Sequence, residues 1–527
     1  LEHPIPEKSP HIAIIGAGIG GLAAALRLVH AGARVTVLER HTTPGGKMRT
    51  LPSDAGPVDA GPTVLTMKPV FDALFADVGA RLEDHVVLER EPLLARHFWQ
   101  DGTRLDLMAD PAHSLANVTE AFGARATKEF ATFCDRAALL YEGFEAPMMQ
   151  AQDPSLLSLT RAVLARPALV SAMAPHQTLK QLLRDSFSEP KLAQLFARYA
   201  TYVGGLPQHT PAILALIWEA ERRGVWHVQG GMHRLASAIE ALAYQRGATF
   251  HYDAHVTRIE TDAGRPSAVH TEEGRIAVDA VLFNGDPRAL GEGMLGDALA
   301  GVIRPAAVEP RSLSAQVQAF AAAVPDAFPL AAHNVFFARD PASEYTPLAK
   351  GQLQTDPTLY VCAQDRFGGA RPDGPERFEI ILNAPHIGDK TPAPDAQDAR
   401  DGASIFSQES TQCQTLIFSR LAAFGLRFSP APDVRTLTGP HSFDALFPAS
   451  RGSLYGRSPA GMMAAFARPT ARTKMPGLYL AGGGAHPGAG VPMATLSARH
   501  AAEAMIKDLC LTSTSPQGAT HGGMSTA

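Results

Sequence analysis

Charge, tryptophan and cysteine are scarce in this 527-residue chain: 19% of residues are charged, three are Trp and four are Cys. With a formal net charge of -5 there is no concentrated basic patch, so nucleic-acid binding is not expected. Cys134, Cys362, Cys413 and Cys510 lie far apart and form no CxxC pair, which argues against a disulfide or a catalytic cysteine. They read as unpaired, buried thiols of a reducing compartment. No HxH or HExxH spacing supports a metal site. No apolar run approaches the roughly 18 residues of a membrane span, and the opening LEHPIPEKSP is too polar for a signal peptide. Leu1 is not a natural start, so the extreme N-terminus is read as processed or as an added remnant.

Hydrophobic residues make up 45% of the chain, enough for the cores of two or three domains. Glycine is concentrated in two places: residues 12–21 read IAIIGAGIGG and residues 481–492 read AGGGAHPGAGVP. Residues 11–40 make a βαβ unit of strand HIAII, turn GAGIGG, helix LAAALRLVHAG and strand ARVTVLE. Gly16, Gly18 and Gly21 stand at GxGxxG spacing: the first permits a tight turn, the second lets backbone approach a pyrophosphate, and the third allows helix to pack on strand. The helix start adds free N–H donors for phosphate. Glu39 ends the second strand, where a carboxylate accepts both ribose hydroxyls of an adenosine and repels a 2′-phosphate. That disfavours NADP and leaves NAD and FAD. The turn PGGKMRT at 44–50 separates those two. Gly45 and Gly46 allow close approach to a pyrophosphate, Lys47 and Arg49 can meet its charge, and a simple NAD enzyme needs no such second loop. FAD is therefore the expected cofactor.

Apolar, sparsely charged stretches such as SLLSLTRAVLARPALVSAMA (155–174) occupy the region from about 70 to 228, with helix-like LKQLLRDSF and LAQLFARYATYVGG after them. Residues 229–260 return to the first domain through the turn QGGMH, the helix RLASAIEALAYQRG and a strand around HVTRIE; a hairpin near 272–274 and the strand AVDAVLFN follow. Strands SLSAQVQAFAA, LYVCAQD and RFEIILN fill 305–450 between proline-rich loops, and the first domain resumes at LYLAGGGAHPGAGVP with a long helix over 493–509. The expected class is α/β. A Rossmann-like FAD-binding domain is assembled from discontinuous segments 11–90, 229–300 and 471–511; residues 91–228 form an apolar helical lid with possible membrane contact, 301–470 an α+β substrate domain, and 512–527 a disordered tail.

The segments GAGIGGLAAALRL, Glu39, PGGKMR, DAGPTVL (59–65), VQGGMHRLASAI (228–239) and AGGGAHPGAGVPMATLSARHAAEAM (481–505) together resemble the flavin-dependent carotenoid desaturases of the phytoene-desaturase type, within the amine-oxidase-like flavoproteins. The resemblance covers residues 11–510. YVCAQDR at 360–366, and Met493 and Ala494 after the GVP turn, are most similar to the bacterial hydroxyneurosporene or methoxyneurosporene 3,4-desaturase branch. It implies that Gly16, Gly18, Gly21 and Glu39 hold adenosine and pyrophosphate, and that Gly45, Gly46 and Lys47 form the second glycine turn. Val256 takes the strand position that meets adenine through its backbone. Gly483, Gly484, Gly490 and Val491 lie at the flavin side. Related proteins often carry an acid in the GGG segment, and here glycine stands instead, so any polar contact must come from backbone N–H groups or another side chain.

The reaction implied is hydride loss from allylic C4 of a 1-hydroxy or 1-methoxy acyclic carotenoid to flavin, with proton loss from C3. His486 is the candidate for a catalytic or charge-tuning group in the turn HPGAGVP, or else for fixing that turn by a hydrogen bond. Glu219 and Glu221 either face the substrate or pair in solvent with Arg222 or Arg223; His227 and His233 are read as local hydrogen-bonding groups. Tyr360, Asp365 and Arg366 are candidates for the polar end of the substrate, or for finishing a strand. A water-insoluble carotenoid also calls for a tunnel and a lipid-facing surface. Leu156, Leu157, Leu159, Val163, Leu164, Leu169 and Val170, with Arg161 and Arg166 among them, fit peripheral contact with the inner or photosynthetic membrane from the cytoplasm, or a buried helical layer. Oxygen or a membrane quinone would be the electron acceptor. Competing functions are a phytoene-type desaturase, a carotenoid isomerase, an amine oxidase, or a non-enzymatic lipid-binding protein of the same fold.

Overall fold

The computed structural model describes residues 9–388 and 398–511; the expected disordered tail lies outside them. At its centre is a five-stranded parallel sheet in the spatial order Leu478–Leu480, Ala280–Phe283, His11–Ile15, Arg34–Leu38, Thr249–His251. Its strands are short and, apart from the edge strand Thr249–His251, almost wholly buried, as a parallel sheet covered on both faces requires. Alternation along one strand serves both layers: Ile12 and Ile14 pack toward the helices, and Ala13 packs on the opposite face with Val281 and Leu480.

The helix Ile19–His30 begins inside the glycine turn, three residues earlier than the apolar run predicts, because Gly18 already serves as its N-cap. It is sandwiched between the helices His233–Gln245 and Val491–Asp508, and its run of Ala23, Ala24 and Ala25, all fully buried, lets these neighbours approach. The expected strand around HVTRIE does not join this sheet. Thr249–His251 does, whereas Arg258–Asp262 belongs to a separate three-stranded antiparallel sheet with Arg265–Thr271 and Gly274–Ala277. Val256 accordingly lies in the link between them, buried but not in a strand.

A second, seven-stranded sheet runs in the order Leu437–Thr438, Ser314–Ala322, Glu376–Ala384, Leu359–Ala363, His333–Phe336, Leu93–Phe98, Arg104–Met108. All neighbours are antiparallel except Leu93–Phe98 against His333–Phe336. Val361, Ile380 and Leu382 face a core with Phe320, Phe336 and Phe378, closed by Ile417 and Leu421 of the helix Asp398–Ala423. Tyr360, Ile381 and Asn383 point the other way, into a cavity. The long helix Pro111–Phe144, broken at Gly123, packs with the shorter helices of 156–222 to form the remaining wall. Cys134, Cys362 and Cys413 are at least partly buried, but Cys510 is exposed at the end of the last helix, against the expected burial.

First and last segments approach most closely where Gly20 meets Gly482. A Cβ on Gly20 would lie 2.9 Å from Gly482 Cα and 2.5 Å from Asn284 Oδ1. Neither backbone can move without parting helix from strand, so Gly20→Ala is expected to destabilise the protein by about 1–3 kcal/mol in urea unfolding.

Candidate active site: a glycine cradle opening on an apolar cavity

Two glycine turns stack on each other beyond the carboxyl ends of the parallel strands, where open α/β sheets bind ligands. Gly16 adopts φ 100°, and a Cβ on Gly21 would sit 2.1 Å from the Gly16 carbonyl oxygen, so both positions require glycine. Gly45 N–H donates to Ala17 C=O at 2.9 Å, and a Cβ on Gly46 would stand 3.1 Å from Gly18 Cα. Gly18 caps its helix without a side chain, which leaves the first N–H groups for an anion. Glu39 is buried and accepts from Ala17 N–H at 2.7 Å and His41 N–H at 2.9 Å. Each of its oxygens keeps a lone pair for a ribose hydroxyl. Val256 lies close by, two residues past Ala254, whose N–H donates to the Glu39 carbonyl. These residues fit a flavin adenine dinucleotide: a backbone cradle that side chains would fill, and a carboxylate at its adenosine end.

The two basic residues of the second turn part ways. Lys47 is solvent-accessible in the cleft and donates to Leu454 C=O at 2.5 Å; desolvation by the surrounding cleft walls lowers its ammonium to about 8, with Asp286 opposing the shift. Arg49 does not face the phosphate cradle. It donates to Thr438 Oγ1 at 2.6 Å and lies over the Phe443 ring, because it leads into the short strand Thr50–Leu51, whose partner Val58–Asp59 packs on the second sheet. At the last segment, a Cβ on Gly484 would fall 2.5 Å from Pro287 Cδ, so an acid cannot be accommodated there. The carboxylate next to Pro287 is that of Asp286, which is ion-paired with the buried Arg311. Asn284 was not singled out from sequence. Its Nδ2 donates to Gly16 C=O at 3.1 Å and to Gly18 C=O at 3.3 Å, and so holds the first glycine turn. The available signal was a polar side chain directly after the buried strand AVLF.

Gly490 caps the helix Val491–Asp508 with φ 112° and no side-chain bond, and both Gly490 and Val491 line a cavity of about 790 Å³. Gly483 sits behind this turn, its carbonyl accepting from Arg468. His486 also lines the cavity. Its Nε2–H donates to Ala151 C=O at 2.9 Å, and the ring stacks on His500. Burial lowers its pKa against backbone bonds to Ala151 and Met148, so a neutral imidazole ties the turn to the helical wall.

Of the acidic candidates, Glu219 is paired with Arg222 at 2.6 Å and Arg223 at 3.0 Å, though it is buried rather than in solvent. Glu221 makes neither pair. It lines the cavity and accepts from Tyr199 OH at 3.0 Å, and burial raises its carboxyl to about 7. Tyr360 lines the cavity too, its hydroxyl 2.9 Å from Thr63 Oγ1 and 2.7 Å from His333 Nδ1. Asp365 and Arg366 instead finish the hairpin through Arg377 and Glu376, respectively. His233 bonds Pro44 C=O at 2.9 Å and so supports the second glycine turn, while His227 stacks on Phe367. Among the described residues no cluster of metal ligands occurs.

A glycine cradle with a ribose-facing carboxylate, opening on an apolar cavity, defines a dinucleotide-dependent oxidoreductase. The flavin containing amine oxidoreductase family model matches residues 19–391. The chain belongs to that family, and FAD is its cofactor. It is 50% identical to the hydroxyneurosporene desaturase of Cereibacter sphaeroides over 95% of this chain and 98% of that one. It is 47% identical to the hydroxyneurosporene desaturase of Rhodobacter capsulatus over 94% and 98%. Among solved structures it is similar to an oxidoreductase from Methanosarcina mazei, with a TM-score of 0.57 at 17% identity over 94% of this chain and 100% of that one. Putrescine oxidase bound to putrescine gives 0.59 at 15% identity over 95% and 100%.

Asn284→Leu removes both clamps on the first glycine turn and is expected to weaken FAD binding about tenfold, read by release of FAD fluorescence. His486→Ala is expected to loosen the turn and lower FAD retention. Slower single-turnover flavin reduction at full FAD occupancy would instead assign His486 to the chemistry.

Proposed function

We propose that this flavoenzyme desaturates a 1-hydroxy or 1-methoxy acyclic carotenoid at C3–C4. The observation that carries this reading is a cavity, lined mainly by apolar side chains, that reaches from an exposed apolar patch to the turn 486–491. The desaturases of Cereibacter sphaeroides and Rhodobacter capsulatus, similar over nearly the whole chain, support the same reading. Bound FAD supplies the hydride acceptor. The two glycine turns, Glu39 and Lys47 hold its nucleotide half, and Gly490 and Val491 present a helix N-terminus at the other end. The cavity wall orients the rod-like substrate and keeps water away from it. Removal of hydrogen beside a long polyene spreads the charge over that polyene, so positioning matters more than a strong base.

The patch also carries the proposal of a lipid-facing surface. Among the described residues no helix is long and apolar enough to cross a membrane. Leu156, Leu164, Val170 and Met463 are exposed by 40–69% and also line the cavity. Leu157 stands beside them, 61% exposed, and Arg161 and Arg166 are exposed on the same segment. Leu159 and Leu169 turn inward, so the segment is part anchor and part core. Seated on the cytoplasmic face of the inner or photosynthetic membrane, the mouth would take its substrate from lipid without passing it through water. Oxygen or a quinone of the same membrane would then reoxidise the enzyme.

The holoenzyme, mixed anaerobically with 1-hydroxyneurosporene in lipid, is expected to bleach its flavin absorbance and yield a carotenoid longer by one conjugated double bond. Flavin that stays oxidised with every carotenoid offered would leave a lipid-binding protein. Leu157→Asp with Leu164→Asp is expected to reduce co-sedimentation with anionic liposomes at least tenfold while FAD stays bound.

A further inference from the structure

The cavity has one carboxyl group among its described lining residues, Glu221, and its wall is otherwise poor in charge. Two guanidinium groups line it as well, and they differ in how they are used. Arg468 donates to the carbonyls of Gly483, Tyr455 and Arg457, and so serves the fold. Arg198 lies over the Tyr202 ring, hydrogen-bonds the Tyr202 hydroxyl, has Glu344 nearby and is only 9% exposed, yet its buried Nε has no partner. Glu221, 8% exposed, is steadied through one oxygen by Tyr199, itself packed edge-on against Trp218. A buried donor left open and a buried carboxyl with one oxygen committed are costly unless a ligand completes them. Both forms of the carboxyl keep an acceptor oxygen, so its raised pKa does not remove the acceptor.

We propose that Glu221 and Arg198 recognise the tertiary hydroxyl of the carotenoid end group, the carboxyl accepting its hydrogen and the guanidinium donating to its oxygen. The inference rests on the substrate reading above and sharpens it. A hydroxyl on C1 stands two carbons from C3, so gripping it sets which C–C bond is presented for oxidation. A methoxy group can accept from Arg198 but has no hydrogen for Glu221. The site therefore prefers the hydroxy substrate to the methoxy one, and either to the unsubstituted hydrocarbon.

The test uses the FAD-loaded enzyme in lipid and follows quenching of tryptophan fluorescence, to which Trp99, Trp218 and Trp226 contribute, by 1-hydroxyneurosporene, its methoxy counterpart and neurosporene. The unmodified enzyme is expected to bind the hydroxylated carotenoid about tenfold more tightly than neurosporene. Glu221→Leu is expected to bring that ratio close to one. Tyr199→Phe frees the carboxyl without removing it and is expected to lower the ratio about threefold, which keeps the test open should Glu221→Leu fail to fold. A ratio unchanged in either folded variant overturns the proposal. Turnover lost equally on all three carotenoids with the binding ratio intact would place Glu221 in proton transfer, and overturns it too. If the unmodified enzyme binds and converts no carotenoid, the substrate reading falls and this inference with it.

Discussion

Everything at the cofactor end depends on the close approach of Gly20 to Gly482 across Asn284. The chain reaches that point three times: after the first strand, after Ala280–Phe283 and after Leu478–Leu480, three neighbours in the parallel sheet. Two of these visits supply backbone without side chains. The third supplies an amide that holds the carbonyls of Gly16 and Gly18. Strand adjacency brings the ends together, and the missing side chains let the helices Ile19–His30 and Val491–Asp508 start side by side. Their free N–H groups then border the nucleotide cradle and the apolar cavity, respectively. A domain built from distant segments is stable here because those segments share one sheet and one helix layer, whose tightest contact tolerates almost no extra volume.

The second sheet does comparable work with a period of two. Odd and even residues of Glu376–Ala384 divide between an aromatic core and the substrate wall, so a one-residue slip would put Ile380 and Leu382 into the cavity and Asn383 into the core. Cavity shape is thus tied to the stability of the core behind it. The helix Asp398–Ala423 closes that core through Ile417 and Leu421, which makes it a structural neighbour of the site.

The parts legible in sequence were those whose chemistry is local. GAGIGG, Glu39 and PGGKM each point to a backbone or ribose contact within a few residues, and the structure brings the three segments together. Arg49 misled because adjacency to a glycine turn does not fix the direction of a side chain once the backbone enters a strand: two residues beyond Lys47 it already serves the other sheet. Thr249–His251 was missed because three residues are too few to show alternation, and it is held by Arg34–Leu38 alone. Asn284 and Glu221 were illegible as partners since their meaning comes from segments far away in the chain, Gly16 in one case and Tyr199 in the other. Glu219 and Glu221, two apart on one helix, face different surroundings: one neutralised by arginines, the other turned to the cavity.

Fold alone does not separate carotenoid oxidation from amine oxidation, since putrescine oxidase shares the architecture with a TM-score of 0.59. The electrostatics of the cavity does. Burial pushes the phenols of Tyr202 and Tyr455 up to about 12 and lowers the pKa of His486, so these groups stay neutral near pH 7. Arg198 and Arg468 remain positive, with Glu344 and Asp286 behind them, and the lining itself holds one carboxyl, whose pKa lies near 7. An ammonium substrate would lose its hydration to enter a mainly apolar space whose lining offers it two guanidinium groups and one half-ionised carboxyl, a poor exchange in a low dielectric. A hydrocarbon has no charge to desolvate, and its one hydroxyl meets the one polar pair left open. The same fold is thereby committed to a neutral, lipid-borne substrate through the few polar groups it admits to that wall.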